Sequence, residues 1–101
     1  MVLGRVTGQV VSTHKERLLE GVTFLVVEKI DPESLEGTGD FVVAIDAVGA
    51  GEGEVVFYAS GSSARMTEVT TGRPADATIT AIVESIDIAG ATTYTKGAVR
   101  K

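Results

Sequence analysis

Hydrophobic and polar residues alternate along much of the chain, which is the pattern of strands that turn one face to a core. The pattern predicts strands over residues 2–13, 22–30, 41–46, 54–59 and 78–88, with a further short strand over 92–96. Gly90 and Ala91 can form a two-residue turn before that last strand, because glycine tolerates the positive φ of such turns. The alternation therefore predicts five principal strands and a C-terminal hairpin arm.

The segments between the strands are polar and are predicted as connections. Residues 14–21 and 31–40 are interpreted as loops, and residues 62–66 have room for one helical turn. Gly4 and Gly8 share the apolar face of the first strand, where they permit a sharp bend or the close approach of another strand. These features predict an all-β fold: a small five-stranded Greek-key barrel of the oligonucleotide/oligosaccharide-binding (OB) type, with a short helical turn.

The strand at residues 22–30 is apolar on both faces. Phe24 and Val26 lie on one side, and Leu25 and Val27 lie on the other. Only one face of a strand in a single-layer barrel looks inward, and no predicted helix is long enough to cover the second face. A neighbouring subunit is the simplest cover, so the sequence indicates an oligomer.

Composition excludes several classes of protein. A chain of 101 residues has the length of one domain, and we expect it to span residues 1–101. The nine Lys and Arg against fourteen Asp and Glu give a formal charge of -5, which opposes phosphate binding and makes nucleic acid an unexpected partner. Without cysteine there is no disulfide or thiolate metal site, and without a long apolar run or leader we expect no membrane partner and a cytoplasmic location.

Candidate chemistry is sparse. The glycine-rich loop from Gly49 to Gly53 lacks the third glycine and the following helix of a dinucleotide site, so it is interpreted as a tight turn. Ser62 and Ser63 lack the following glycine of a nucleophile elbow. His14 is the only histidine and lies in a charged loop, so no triad or metal ligand set can be assembled. We therefore predict no catalytic residue, no metal and no cofactor.

Three runs of residues carry a family resemblance. They are residues 44–54 (AIDAVGAGEGE), residues 61–67 (GSSARMT) and residues 74–77 (PADA), which lead into the last long strand. In this order the runs resemble the EutN/CcmL family, whose members close the vertices of bacterial microcompartment shells, including carboxysomes. The resemblance is weakest over residues 31–40 and beyond residue 88.

The resemblance implies a structural role. Family members form pentamers at the fivefold corners of shells whose facets are hexameric tiles, so the expected partners are copies of this chain and hexameric shell proteins. It also implies that two segments make contacts within the ring or to the hexamers. The implied contact residues are Gly49, Ala50, Gly51, Glu52, Gly53, Glu54, Ser62, Ser63, Ala64, Arg65 and Thr67. The sequence does not assign either segment to one of these contacts, nor does it indicate the cargo or a conducting pore.

Two other functions stay open at this point. The barrel type permits a binding module for single-stranded nucleic acid or oligosaccharide, although an acidic chain with three Phe and two Tyr makes a poor stacking groove. A small hydrolase that uses Ser62 or Ser63 would need a base that the chain scarcely offers.

Overall fold

The computed structural model describes residues 1–13, 17–70 and 76–97, and of Ser62 and Ser63 it describes the backbone alone. Two short 3₁₀ helices, Arg17–Leu19 and Gly61–Arg65, accompany the strands. The strands are β1 (Val2–Val10), β2 (Phe24–Ile30), β3 (Gly37–Asp46), β4 (Val55–Ser60), β5 (Ala77–Ile82), β6 (Ser85–Ile88) and β7 (Ala91–Thr95).

Five strands close into a barrel in the order β1-β2-β3-β5-β4. β1, β2 and β3 pair antiparallel in succession, and β4 returns to pair antiparallel with β1, which is the Greek-key arrangement. β5 completes the circle between β4 and β3, and it runs parallel to β3. The strands β6 and β7 form a separate two-stranded sheet. The predicted all-β fold, with a five-stranded barrel and a hairpin arm, is confirmed.

Two apolar clusters hold this arrangement together. The larger cluster fills the barrel, and the smaller lies between the barrel and the arm, where Ile86 of β6 and Tyr94 of β7 pack on it. The barrel cluster contains Val6, Leu25, Val27, Ala44, Val56, Tyr58, Ala77 and Ile79. The smaller cluster contains Ile30, Leu35, Val55 and Val83. Because an isolated two-stranded hairpin is only marginally stable in water, this second cluster is what keeps the arm in place.

Gly4 allows the barrel to close tightly. A Cβ at this position would lie 2.5 Å from Val27 Cγ1 and 2.9 Å from the carbonyl oxygen of Glu28. The prediction of a close strand approach is therefore confirmed at Gly4. At Gly8 a Cβ would meet nothing within 4 Å, and the pairing of β1 with β2 shifts register between Val6 and Gly8.

The single long strand predicted over residues 78–88 is wrong. The chain forms two strands there, with Val83 and Glu84 between them. The N–H of Val83 donates to the carbonyl oxygen of Val55, which is the first residue of β4. Beyond this point β4 offers no further backbone partner, so the chain leaves the barrel and pairs with β7 instead.

The predicted loop over residues 31–40 is too long. The connection is a tight turn over residues 31–36, and β3 already begins at Gly37, which pairs with Ile30. The turn is held by Asp31, whose Oδ1 accepts hydrogen bonds from the N–H groups of Glu33 and Ser34 at 2.8 and 2.9 Å. Residues 37–40 are of turn-forming types, and the register of β2 with β3 shifts between Glu28 and Ile30, so local sequence did not predict that Gly37 pairs with Ile30.

Other boundaries differ in smaller ways. β1 ends at Val10 rather than at residue 13, and the turn of the arm is formed by Ala89 and Gly90, one position before the predicted pair. The 3₁₀ helix Arg17–Leu19 lies in the predicted loop over residues 14–21. His14, residues 71–75 with the first half of the PADA run, and residues 98–101 lie outside the described residues.

Candidate assembly site

The glycine-rich loop that joins β3 to β4 is held by hydrogen bonds from its backbone to carboxylate side chains. Asp46 Oδ1 accepts hydrogen bonds from the N–H groups of Val48 and Gly49, both at 3.0 Å. Gly49 and Gly53 adopt φ angles of 78° and 84°, in the left-handed region that other residues rarely enter. These two positions require glycine for their backbone angle, and not for a close approach, since a Cβ at either would meet nothing within 4 Å.

Glu54 ties this loop to the rest of the molecule. Its Oε1 accepts a hydrogen bond from the Gly51 N–H at 2.6 Å, and its Oε2 lies 3.4 Å from Lys96 Nζ, just after the arm strand β7. The Gly53 N–H donates to the Val6 carbonyl oxygen at 2.8 Å, and Ala50 packs against the barrel core. The loop is therefore fixed to β1, to the core and to the arm.

The second segment follows β4. The N–H of Gly61 donates to the carbonyl oxygen of Asp76 at 2.9 Å, and the buried Thr78 hydroxyl donates to the Ala64 carbonyl oxygen at 2.5 Å. The side chain of Ala64 is fully buried, whereas Arg65 is exposed. These bonds hold the 3₁₀ helix against the barrel and leave Arg65 at the surface.

A hydroxyl pair fixes the turn after this helix. The hydroxyls of Thr67 and Thr70 lie 2.7 Å apart, and each accepts a hydrogen bond from the other residue's N–H. Thr70 is fully buried, while Met66 just before the pair is 81% exposed. The reciprocal bonds therefore present Met66 to solvent on a well-defined turn.

The structure does not bring the two predicted contact segments together. The loop precedes β4 and the 3₁₀ helix follows it, so they attach to opposite ends of one strand. Gly49, Gly51, Glu52 and Gly53 are exposed. Glu54 and Thr67 are partly buried and engaged within the chain, and Ala64 packs inside. The predicted contact role of these residues stays a prediction.

A broader apolar surface lies on the outside of β2 and β3. Phe41 is 57% and Val43 is 50% exposed, although both lie within a strand. Val43 pairs with Val26 across the sheet, and Phe24 and Val26 are half-buried on the same outer face. The sequence interpretation noted the outer face of β2 and missed the one on β3. The signal for the outer face of β3 in the sequence was the alternation of Phe41 and Val43 with the inward Val42 and Ala44.

The described residues offer little for catalysis. Burial raises the pKa of the Tyr58 hydroxyl, with a further contribution from the negative charge of Asp40, so Tyr58 stays protonated at neutral pH. The hydrogen bonds from Ser34 and Glu33 lower the pKa of Asp31. Among these residues no group of three or more His, Asp or Glu side chains is placed to hold a metal ion.

In the described part of the chain, no helix has the length and apolarity needed to cross a membrane.

Comparison with known proteins gives a consistent result. Residues 1–84 match the family described as ethanolamine utilisation protein EutN/carboxysome. The carboxysome shell vertex protein CcmL of Synechococcus elongatus is 41% identical over 96 residues, which cover 95% of this chain and 96% of that protein.

Solved structures agree with this match. The structure of CcmL from Gloeobacter violaceus superposes with a TM-score of 0.91 at 38% identity, covering 97% of this chain and 100% of that one. GrpN, a pentameric microcompartment shell protein from Rhodospirillum rubrum, superposes with a TM-score of 0.79 at 40% identity, covering 87% and 99%. With sequence and fold in agreement over most of its length, this chain belongs to the EutN/CcmL family.

Proposed function

We propose that this chain is a structural shell protein that forms a homopentamer and caps the fivefold vertices of a bacterial microcompartment. One observation carries the proposal: the barrel exposes an apolar outer face on β2 and β3, in a chain whose relatives include a pentameric shell protein. An exposed apolar face of this kind marks a surface that another protein covers. Copies of the same chain are the cover that the relatives suggest.

Geometry explains why a pentamer would be needed. A flat layer of hexameric tiles cannot close into a shell, because every corner requires a unit with one side fewer. A ring of five identical subunits supplies that unit through a contact whose rotation closes on itself. The chain thereby acts as a structural component and not as an enzyme, and it requires no cofactor.

In this proposal the two predicted contact segments bind different partners. The loop from Gly49 to Glu54 and the segment from Ser62 to Thr67 attach to opposite ends of β4, so they face different neighbours. One neighbour is the adjacent copy in the ring, and the other is a hexameric shell protein. The pentamer would be located in the shell of a cytoplasmic microcompartment, with no nucleic acid or membrane as partner.

The oligomeric state tests the proposal directly. Native mass spectrometry of the purified chain at micromolar concentration should give an assembly of five subunits. Mixing it with hexameric shell proteins should convert open sheets or tubes into closed particles, as judged by electron microscopy. A stable monomer, or a ring of six, would contradict the proposal.

A further inference from the structure

One apolar face of the barrel is built from aligned pairs on neighbouring strands. Val43 of β3 lies opposite Val26 of β2, and Phe24 lies opposite both Ile45 of β3 and Val10 of β1. Val43, Val26, Phe24 and Val10 alternate with inward residues, so their side chains point away from the core, whereas Ile45 is buried. We call this surface face A, and its exposed members are Val10, Phe41 and Val43, with Phe24 and Val26 half-buried.

The border of face A is polar and already engaged. Glu28 lies between Arg5 and Phe41 in the strand register, and its Oε2 accepts a hydrogen bond from the Gly39 N–H at 3.1 Å. The Thr7 hydroxyl donates to the Val26 carbonyl oxygen. An apolar centre with a polar rim is the usual anatomy of a protein interface.

A second apolar face is centred on Phe57 of β4. Phe57 is 39% exposed, while Val56 and Tyr58 on either side of it lie in the core. Its neighbours across the sheet are Leu3 of β1 and Ala81 of β5. We call this surface face B: Phe57 is its exposed member, Leu3 and Ala81 are half-buried beside it, and Leu3 also packs against the smaller apolar cluster.

The strand order places the two faces on opposite sides of the barrel. Face A is centred on β2 and β3, and β4 is separated from that pair by β1 in one direction and by β5 in the other. The remaining large hydrophobic side chains exposed on the described residues are Met1, Val11, Leu18, Val48 and Met66, and they lie outside the strands.

We infer that face A of one subunit packs against face B of the next copy of this chain. The inference rests on the proposed homopentamer and names its subunit contact. A cyclic ring needs a head-to-tail contact, in which two different surfaces of the same chain meet. Faces A and B are two such surfaces. When face A of each subunit packs against face B of the next, a closed ring covers both faces of every subunit.

The sequence provides a clean way to test this pairing, since the chain contains no cysteine. The variant Val43→Cys/Phe57→Cys carries one thiol on each face. Treatment with a short bismaleimide should join its subunits into covalent multimers of up to five chains. Each single variant should give no covalent multimer, because position 43 of one copy does not meet position 43 of another. An equal mixture of the two single variants should give a covalent dimer that contains one chain of each.

Several outcomes separate this inference from the proposed function. A wild-type chain that is not a pentamer removes the proposed function. A wild-type pentamer whose double variant stays pentameric without covalent multimers overturns the pairing of faces alone, as does self-cross-linking of either single variant. If the first double variant does not fold, Phe41→Cys/Ala81→Cys repeats the test with a different residue on each face.

A charge in the centre of face A gives an independent readout. Val43→Glu should weaken assembly by at least about 30-fold, because a carboxylate would be buried without a partner in an apolar contact. Its circular dichroism should match that of the wild type, since Val43 points to solvent in the isolated subunit. Unchanged assembly of Val43→Glu would overturn the inference.

Discussion

Nearby positions in this barrel make very different contacts, and these contacts determine which residue each position can hold. Gly4 and Gly8 lie on the same strand, yet only at Gly4 would a side chain collide with the neighbouring strand β2. Thr78 is buried because its hydroxyl has a carbonyl partner at Ala64, and Arg65 beside it is exposed. The role of a residue here follows from its partner and not from its type.

Gly4→Ala should destabilise the fold by about 1–3 kcal/mol, because the added methyl group overpacks a closed core. Urea unfolding followed by circular dichroism measures the change at equal protein concentrations. Gly8→Ala is the matched control, since a Cβ there meets nothing, and it should leave the unfolding free energy within about 1 kcal/mol of the wild type. Equal losses in both variants would show that the tight contact at Gly4 is not the cause.

Arg65→Ala should weaken assembly more than it weakens the fold, because an exposed guanidinium contributes at most about 1 kcal/mol to folding. Its planar donor group can bind a carboxylate or carbonyl of a neighbouring subunit. Sedimentation analysis measures assembly, and thermal unfolding measures the fold. Arg17→Ala removes an exposed arginine from the other 3₁₀ helix and should change neither. Equal losses of assembly and of folding stability in Arg65→Ala would contradict this expectation.

Elements show where sequence patterns are sufficient and where they fail. The alternation of apolar residues was enough to count the barrel strands, because a strand with one buried face carries its period in its own sequence. The break after Ile82 was not predictable in this way, since it depends on where β4 begins, at Val55. The outer face of Phe41 and Val43 was overlooked because local pattern alone does not tell which of two apolar sides points outward.

The turn between β6 and β7 can be made more stable by substitution. Ala89 and Gly90 both adopt positive φ, at 52° and 81°, as a two-residue turn between antiparallel strands requires. Ala89→Asn should stabilise the arm by about 1 kcal/mol, because asparagine tolerates this region better than alanine. Amide hydrogen exchange in β6 and β7 should slow accordingly. Gly90→Ala should have the opposite effect, and faster exchange in Ala89→Asn would contradict the argument.

Glu54 links the loop and the arm, so its removal should loosen both. Glu54→Ala should cost about 1–2 kcal/mol of stability, since it loses the hydrogen bond from Gly51 and the ion pair with Lys96. Glu84→Ala is the control. Glu84 is 81% exposed and lies 3.9 Å from the same lysine, so its removal should change stability by less than about 0.5 kcal/mol. Urea unfolding distinguishes the two variants, and equal effects would contradict a special role of Glu54.

At the scale of the whole molecule, charge opposes the proposed assembly. Each chain carries a formal charge of -5, so five copies bring together five times that charge, or -25. Salt screens this repulsion, with a Debye length of about 30 Å at 0.01 M and about 10 Å at 0.1 M. Apolar contact must therefore supply the attraction between subunits.

Assembly should strengthen as salt rises from about 0.01 to 0.1 M, because the repulsion is screened over this range. Light scattering at fixed protein concentration measures the effect. Glu33→Lys/Glu36→Lys on the exposed turn changes the charge by +4, from -5 to -1, and should flatten the salt dependence. A ring that falls apart with added salt would indicate that ion pairs, and not apolar faces, hold the subunits.

The closed barrel also limits how copies of this chain can recognise one another. Its five strands pair in a closed circle, in which the pairing of β3 with β5 covers Ile45 and Asp46 of β3. Where strands are paired there is no free edge to which a foreign strand could be added, so recognition there depends on side chains. Related chains produced in one cell could consequently be kept in separate rings by a handful of surface substitutions, without any change to the common backbone.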